Sequence, residues 1–129
     1  MTNRLIAYKI HLVISVVIVL TVAIVYGFNP SSQFNIIMDT VDEHNFFKAT
    51  MGLYIGFAIV WIMGLLNSNY FKTALLTNIA FMLGLGLGRC VSWWLDGPPT
   101  LLYRIGTIGE LLLGFYGLWV INSKVFKKP

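Results

Sequence analysis

The sequence predicts an all-α membrane protein, a polytopic antiparallel bundle of four transmembrane helices. Of the 129 residues, 57% are hydrophobic and only 11% are charged, whereas about 25% of the residues in a soluble domain are charged. Four apolar stretches also approach the roughly 20 residues that a helix needs to cross a hydrocarbon core of about 30 Å. In lipid, an unbroken apolar run satisfies its backbone hydrogen bonds as a helix.

The predicted spans lie at about residues 10–28, 47–66, 73–95 and 101–121. The first is too long for the apolar region of a signal peptide, and no clear small-residue cleavage site follows it, so we expect a retained span. Short polar connections join the second span to the third and the third to the fourth, so each of these pairs is expected to be antiparallel neighbours. No linker or repeat divides the chain, and we expect one domain over residues 1–129.

The long connection between the first two spans predicts a short surface helix. It begins with Pro30 and Ser31, a helix start signal. Apolar residues then recur at helical spacing: Phe34, Ile37, Met38 and Val41. This pattern predicts an amphipathic helix lying on the bilayer. A loop that covers the mouth of the bundle is the alternative.

The charges in the loops and at the chain ends predict how the protein is oriented in the membrane. Basic residues concentrate on the side that holds both termini: Arg4, Lys9, Lys72, Lys124, Lys127 and Lys128. The opposite side is mainly acidic, so the positive-inside rule predicts that both termini are cytoplasmic. Aromatic residues fall near both interfaces under the same topology: Tyr26, Phe28, Trp93, Trp94 and Tyr103 on one side, Trp61, Tyr70, Phe71 and Trp119 on the other. The basic residues sit at segment ends and form no nucleic-acid-binding patch.

An arginine in the third span and a glutamate in the fourth are the candidate functional residues. Arg89 lies roughly 10 Å below the end of its helix, and the short turn to the next helix brings Glu110 to a similar depth. Charges at membrane depth are costly and pair with one another, so we expect an ion pair. Further polar residues can extend this network: Lys48, Asp96, Ser92 and Glu43.

This network has two main interpretations. It is either a buried ion pair that fixes the register of two helices, or the floor of a pocket that holds a lipid headgroup, a quinone or a small anion. A proton or ion pathway is a third possibility.

Small residues recur at helical spacing on three spans, in the pairs Gly52 and Gly56, Gly84 and Gly88, Gly106 and Gly109, and Gly114 and Gly117. We expect them to pack helices of this chain together, although one such stripe could face another subunit.

The single cysteine and the two histidines predict no metal or cofactor site. Cys90 is expected to be a small apolar packing residue. His11 and His44 are separated by most of the bilayer, so they cannot bind one metal or haem together, and each is expected at an interface. We identify no catalytic motif, and the sequence predicts neither a cofactor nor catalytic residues.

Several motifs resemble those of small bacterial four-helix membrane proteins, the family of domain of unknown function 4345. The matching residues are Asn45-Phe-Phe-Lys-Ala49, Gly52, Tyr54, Ala74-Leu75, Gly86-Leu-Gly-Arg89, Ser92, Asp96-Gly-Pro-Pro99 and Glu110. The most specific part is the run Gly-x-Gly-Arg-x-x-Ser closed by Asp-Gly-x-Pro. Lys48 departs from the expected arginine and replaces a bidentate group with a point charge. The resemblance implies this fold and a bacterial membrane, with no known activity.

The sequence therefore favours a non-enzymatic accessory or structural subunit of a larger complex in the bacterial inner membrane. Its expected partners are membrane lipid and, through glycine-rich helix faces, other membrane-protein subunits. The alternative is a protein or enzyme that binds a lipid, a quinone or a small anion at Arg89 and Glu110.

Overall fold

The computed structural model describes residues 3–123, and most of that segment is helical. The helices are α1 (Asn3–Phe28), α2 (Pro30–Gln33), α3 (Val41–Leu66), α4 (Phe71–Asp96) and α5 (Leu101–Ile121). A 3-10 turn at Ser68–Tyr70 joins α3 to α4. Helices α1, α3, α4 and α5 are long and apolar enough to cross a membrane, which confirms the predicted all-α membrane fold.

We name the two ends of the bundle by what they contain. The loop end holds residues 29–40 and the α4–α5 turn at residues 97–100, whereas the terminal end holds the start of α1, the α3–α4 turn and the end of α5. Lys9 and Lys72 lie toward the terminal end. The other basic residues predicted on that side lie outside the described residues: Lys124, Lys127, Lys128 and the side chain of Arg4.

Two helices begin earlier than the apolar pattern predicts. α1 begins at Asn3 rather than near residue 10, and α3 begins at Val41 rather than near residue 47. A capping box explains the start of α3, because the Thr40 hydroxyl accepts from the backbone N–H of Glu43 at 3.2 Å and the Glu43 carboxylate accepts from that of Thr40 at 2.8 Å. Hydropathy marks only the apolar part of a helix and misses its polar first turns.

The connection between α1 and α3 combines the two structures that the sequence allows. A short helix does begin at Pro30, but it ends at Gln33, and residues 34–40 are not helical. The prediction that Phe34 to Val41 form a helix face is therefore wrong. Instead, the Phe34 ring turns toward the bundle, where its centroid lies 4.9 Å from the ring of Tyr26 and 4.9 Å from that of Tyr103.

The helices form a ring with one loosely packed side. α1 packs along α3, α3 along α4 and α4 along α5, and α5 approaches α1 with much less contact. The predicted antiparallel neighbours are confirmed, because α3 and α4, and α4 and α5, run in opposite directions through short turns. The loosely packed side lies between α1 and α5.

The core is densest toward the terminal end, where α3 and α4 are in direct contact. Trp61, which the aromatic pattern places at an interface, is fully buried. Its indole N–H donates to the Thr77 hydroxyl at 3.3 Å. At the end of α3, the Lys9 ammonium donates to the Leu65 carbonyl at 3.3 Å and so satisfies a backbone acceptor that the helix leaves free.

Only some of the glycines pack helices together. A Cβ on Gly86 would lie 2.6 Å from Leu111, and one on Gly114 would lie 2.5 Å from Leu83, so these two glycines let α4 and α5 approach closely. The same expectation is wrong for six other glycines, where an added Cβ would meet no atom within 4 Å: Gly52, Gly56, Gly84, Gly88, Gly106 and Gly109. Helical spacing alone does not tell which face of a helix meets a neighbour.

His11 and Cys90 also differ from expectation. His11 is only 1% exposed, and its ring lies 5.2 Å from that of Tyr116. It lies about two turns inside α1 and packs within the bundle, where the sequence predicts an exposed interfacial residue. Cys90 is exposed on α4 and does not pack in the core.

Candidate functional site

The structure brings Arg89 and Glu110 together across α4 and α5. The Arg89 Nε donates to Glu110 Oε2 at 2.9 Å. The turn between the helices sets this pairing: Gly97 has a φ of 99°, a conformation that glycine adopts without strain, and two prolines follow it. The predicted ion pair is therefore present, and it joins the two helices at similar depth.

The guanidinium of Arg89 also reaches toward α1. Its Nη2 lies 3.5 Å from the hydroxyl of Tyr26, and its Cζ lies 5.2 Å from the ring centroid of Tyr103. A cation over an aromatic face is attracted to the ring. Three of the four long helices thus converge on one arginine.

The pair borders a cleft rather than a closed core. The cleft has a volume of about 290 Å³ and lies between α1 and α5. Most of its wall is aliphatic, and its polar atoms come from one cluster: Arg89, Glu110, Tyr26, Tyr54 and Tyr103. The side chains of Arg89 and Glu110 retain 23% and 16% exposure, so molecules that enter the cleft can reach them.

Two features of α1 and α5 keep this cleft open. The two helices pack only lightly against each other. α5 also presents Gly106 and Gly109 to the cleft, and neither has another atom within 4 Å of the position that a Cβ would take. The missing side chains leave room that larger residues would fill.

A second cavity of about 220 Å³ adjoins the first near the loop end. Its lining is Arg89, Ser92, Pro99, Tyr103 and Thr107. Arg89 and Tyr103 line both cavities. The guanidinium therefore stands between an apolar cleft and a smaller cavity that is rich in hydroxyl groups.

The remaining predicted site residues are less directly involved. Ser92 lines the smaller cavity and donates to Asp96 Oδ2 at 2.8 Å. Glu43 belongs to the capping box of α3, and Lys48 is exposed and makes no ion pair with any residue that the structure describes. Neither residue has a hydrogen bond or ion pair to Arg89 or Glu110 among the described residues, so their part in the network stays a prediction. The loop-end part of α3 packs on α1, where Phe47 contacts Tyr26.

Sequence reasoning missed the tyrosines as parts of the site. The aromatic pattern places Tyr26 and Tyr103 in an interfacial belt, and Tyr54 stands out only as part of the family motif. Tyr26 and Tyr54 are largely buried, with ring centroids 5.7 Å apart. A signal was present, since Tyr26 and Tyr103 lie near the same end of the bundle as Arg89.

The arrangement can orient a molecule that has one polar end. Apolar clefts with a few convergent polar groups are typical small-molecule sites. Within residues 3–123, no three His, Cys, Asp or Glu side chains are grouped as metal ligands. The polar groups that the cleft offers to a ligand are the guanidinium, the carboxylate and the tyrosine hydroxyls beside them.

The family model for the domain of unknown function (DUF4345) matches residues 7–121. The chain belongs to this family. The match includes the first span, which the motif resemblance covered only in kind. Neither the curated proteins nor the solved structures include a match to the chain. Together with the four apolar helices, membership of DUF4345 identifies a small multi-pass membrane protein from a family without a described activity.

Proposed function

We propose that this member of DUF4345 is a non-catalytic membrane protein that binds an amphiphile in the cleft between α1 and α5. One observation carries the proposal: the Arg89–Glu110 pair lies in the wall of an open, mostly apolar cleft. The apolar part of a ligand would enter through the loosely packed side of the bundle, and its polar end would meet the ion pair.

Energetic considerations support a ligand-binding role over a purely structural one. A buried ion pair is costly to desolvate, and apolar residues of similar volume often replace it without loss of stability. A pair that serves only to fix helix register needs no adjoining space. Here Gly106 and Gly109 leave space beside it.

Filling the cleft tests this proposal. Gly109→Leu places a side chain in the cleft, whereas Gly56→Leu makes the same change on α3 where a Cβ meets no atom within 4 Å. The protein is purified from its native membrane in mild detergent, and retained lipids are identified by native mass spectrometry. We expect a specific amphiphile on the wild type and on Gly56→Leu, and its loss from Gly109→Leu. Absence of any enriched amphiphile from the wild type would contradict the proposal.

A specific observation favours a second role, that of an accessory subunit in a larger membrane complex. Gly52 and Gly56 on α3, and Gly84 and Gly88 on α4, leave open space on exposed parts of adjacent helices. Small residues at such spacing allow close helix approach in membranes. Gentle solubilisation from the native membrane followed by size analysis is the test. A lone monomer in mild detergent contradicts this role, whereas a larger hetero-complex supports it.

We further propose a location in a bacterial inner membrane with both termini in the cytoplasm. The support is the position of Lys9 and Lys72 toward the terminal end, combined with the positive-inside rule. A fluorescent protein that matures only in the cytoplasm, fused after Pro129, should be bright in bacterial cells. A dark but full-length fusion would contradict this orientation.

A further inference from the structure

The hydrogen-bonding state of the site indicates which kind of amphiphile it accepts. We propose that the ligand is a neutral lipid whose head carries a free hydroxyl group, and that this head lies beside Arg89 in the smaller cavity. The inference rests on the proposed function, because it specifies the ligand of the same cleft.

The charge balance at the site argues against a charged head. Glu110 Oε2 lies 2.9 Å from Arg89 Nε, so one carboxylate already neutralises the guanidinium. An anion on another edge of the guanidinium would lie close to that carboxylate, and like charges repel strongly in a medium of low dielectric. A cation on the carboxylate would meet the guanidinium in the same way. A neutral head avoids both repulsions.

The ion pair retains both donor and acceptor capacity. A guanidinium has several N–H donors in a planar fork, and Arg89 uses Nε for Glu110 and directs Nη2 toward Tyr26. Among described residues, Nη1 of Arg89 and Oε1 of Glu110 make no hydrogen bond. A hydroxyl group suits such a site, because it can accept from a free N–H and donate its one proton to a free oxygen, whereas an anionic head can only accept.

The smaller cavity offers acceptors in the same way. Ser92 donates its hydroxyl proton to Asp96 Oδ2 at 2.8 Å, and Thr107 donates its own to the Tyr103 carbonyl at 2.8 Å. Both hydroxyl groups therefore present lone pairs to the cavity that they line. An anionic head would place its own lone pairs against these oxygens, whereas an alcohol can donate to them.

The shapes of the two cavities agree with this placement. The smaller cavity is next to the loop end, and the larger, aliphatic cleft extends from Arg89 along α1 and α5. The larger cleft has a volume of about 290 Å³, which is the volume that about ten water molecules occupy in the liquid. This space suits part of an acyl chain. Head and chain would thus lie on opposite sides of the guanidinium.

Three probes with identical acyl chains test the inference: didecanoylglycerol, its methyl ether and didecanoyl phosphatidic acid. Each is titrated into the purified protein in mild detergent, and binding is measured by the shift of the thermal unfolding midpoint. We expect didecanoylglycerol to bind about tenfold more tightly than the phosphatidic acid, because like-charge contacts at a binding site are strongly unfavourable. The methyl ether should bind more weakly than the alcohol, because it cannot donate.

Failure of the inference and failure of the proposed function are distinguishable. Equal or tighter binding of the phosphatidic acid overturns the neutral head while amphiphile binding stands. Equal binding of the methyl ether overturns the role of the hydroxyl. Binding of none of the three probes counts against the proposed function itself.

A charge variant should abolish the preference for the neutral head. Glu110→Gln keeps an oxygen that can accept from Arg89 Nε but removes the negative charge. The uncompensated guanidinium should then bind the phosphatidic acid about tenfold more tightly than the wild type does. Glu43→Gln is the matched control, because it removes the same charge at the capping box of α3, outside both cavities. An unchanged preference in Glu110→Gln overturns the charge argument.

Discussion

The two halves of this bundle use the same helices in different ways. Toward the terminal end, α3 lies directly against α4, and a Cβ on Gly64 would collide with that of Ala74. Toward the loop end, Gly52 on the same helix has no atom within 4 Å of its Cβ position, and α4 exposes 85% of Trp94. The packed half holds the helices in place, so the other half can leave a cleft around Arg89. The predictions below test this division.

Removing a tryptophan from the packed half should have the largest effect. Trp61→Ala leaves a cavity at a fully buried site and loses the hydrogen bond to Thr77, and such substitutions cost about 4 kcal/mol. Trp94→Ala is the control, and it should change stability by less than about 1 kcal/mol because its side chain packs little. Reversible unfolding in mixed micelles measures both. Similar losses from the two variants would show that the halves contribute equally.

Breaking the ion pair should rank next. Arg89→Met leaves the Glu110 carboxylate without its partner in a mostly apolar cleft, which should cost about 3 kcal/mol, the lower end of the range for a buried pair because both side chains keep some exposure. The double variant Arg89→Met/Glu110→Leu should recover most of that loss, since no unpaired charge remains. The unfolding free energies of the wild type, Arg89→Met, Glu110→Leu and the double variant form the cycle that measures the coupling. Additive losses would mean that the two side chains are not coupled.

Adding one methyl group should also distinguish the two halves, with a smaller change in stability. Gly64→Ala forces α3 away from α4 because the new Cβ also meets Tyr70 O at 3.2 Å and Phe71 Cα at 3.3 Å, and overpacking of this kind costs about 2 kcal/mol. Gly52→Ala meets nothing and should be neutral or stabilising by about 0.5 kcal/mol through helix propensity. The difference between their unfolding midpoints is the test. A destabilised Gly52→Ala would mean that this face of α3 has a neighbour.

The smallest effect is expected at the start of α3. Thr40→Ala removes the side-chain half of the capping box and should cost about 1 kcal/mol. Thr100 precedes α5 at the equivalent position but makes no side-chain capping bond, so Thr100→Ala should have little effect. Hydrogen exchange at the first turn of each helix provides the measurement. If the first turn of α3 is protected in Thr40→Ala as well as it is in the wild type, the Thr40 cap has no local role.

Sequence patterns were sufficient for the elements that depend on length and depth. Apolar length located all four spans, and counting residues from the turn placed Arg89 beside Glu110. These inferences succeed because the rise per residue of a helix is nearly constant. The α4–α5 turn was equally clear, since Gly97 and the prolines after it cannot continue a helix.

The cleft itself could not be inferred from the sequence. It depends on how far α5 stands from α1, and no local pattern encodes that separation. Gly106 and Gly114 have the same chemistry and lie two turns apart on α5, yet one borders open space and the other meets Leu83. Lys48 shows the same limit, because its position in the chain does not tell which face of α3 carries it.

The turn at residues 97–100 gives the α4–α5 hairpin a constraint on its length. Arg89 and Glu110 are separated by 21 positions, and each residue of a helix rotates the following side chains by about 100°. Inserting or deleting one residue within either helical arm would therefore swing one charge away from the other. Related chains that keep both charges should confine their length changes to the few residues after Asp96, where an added residue lengthens the loop and leaves both helical faces aligned.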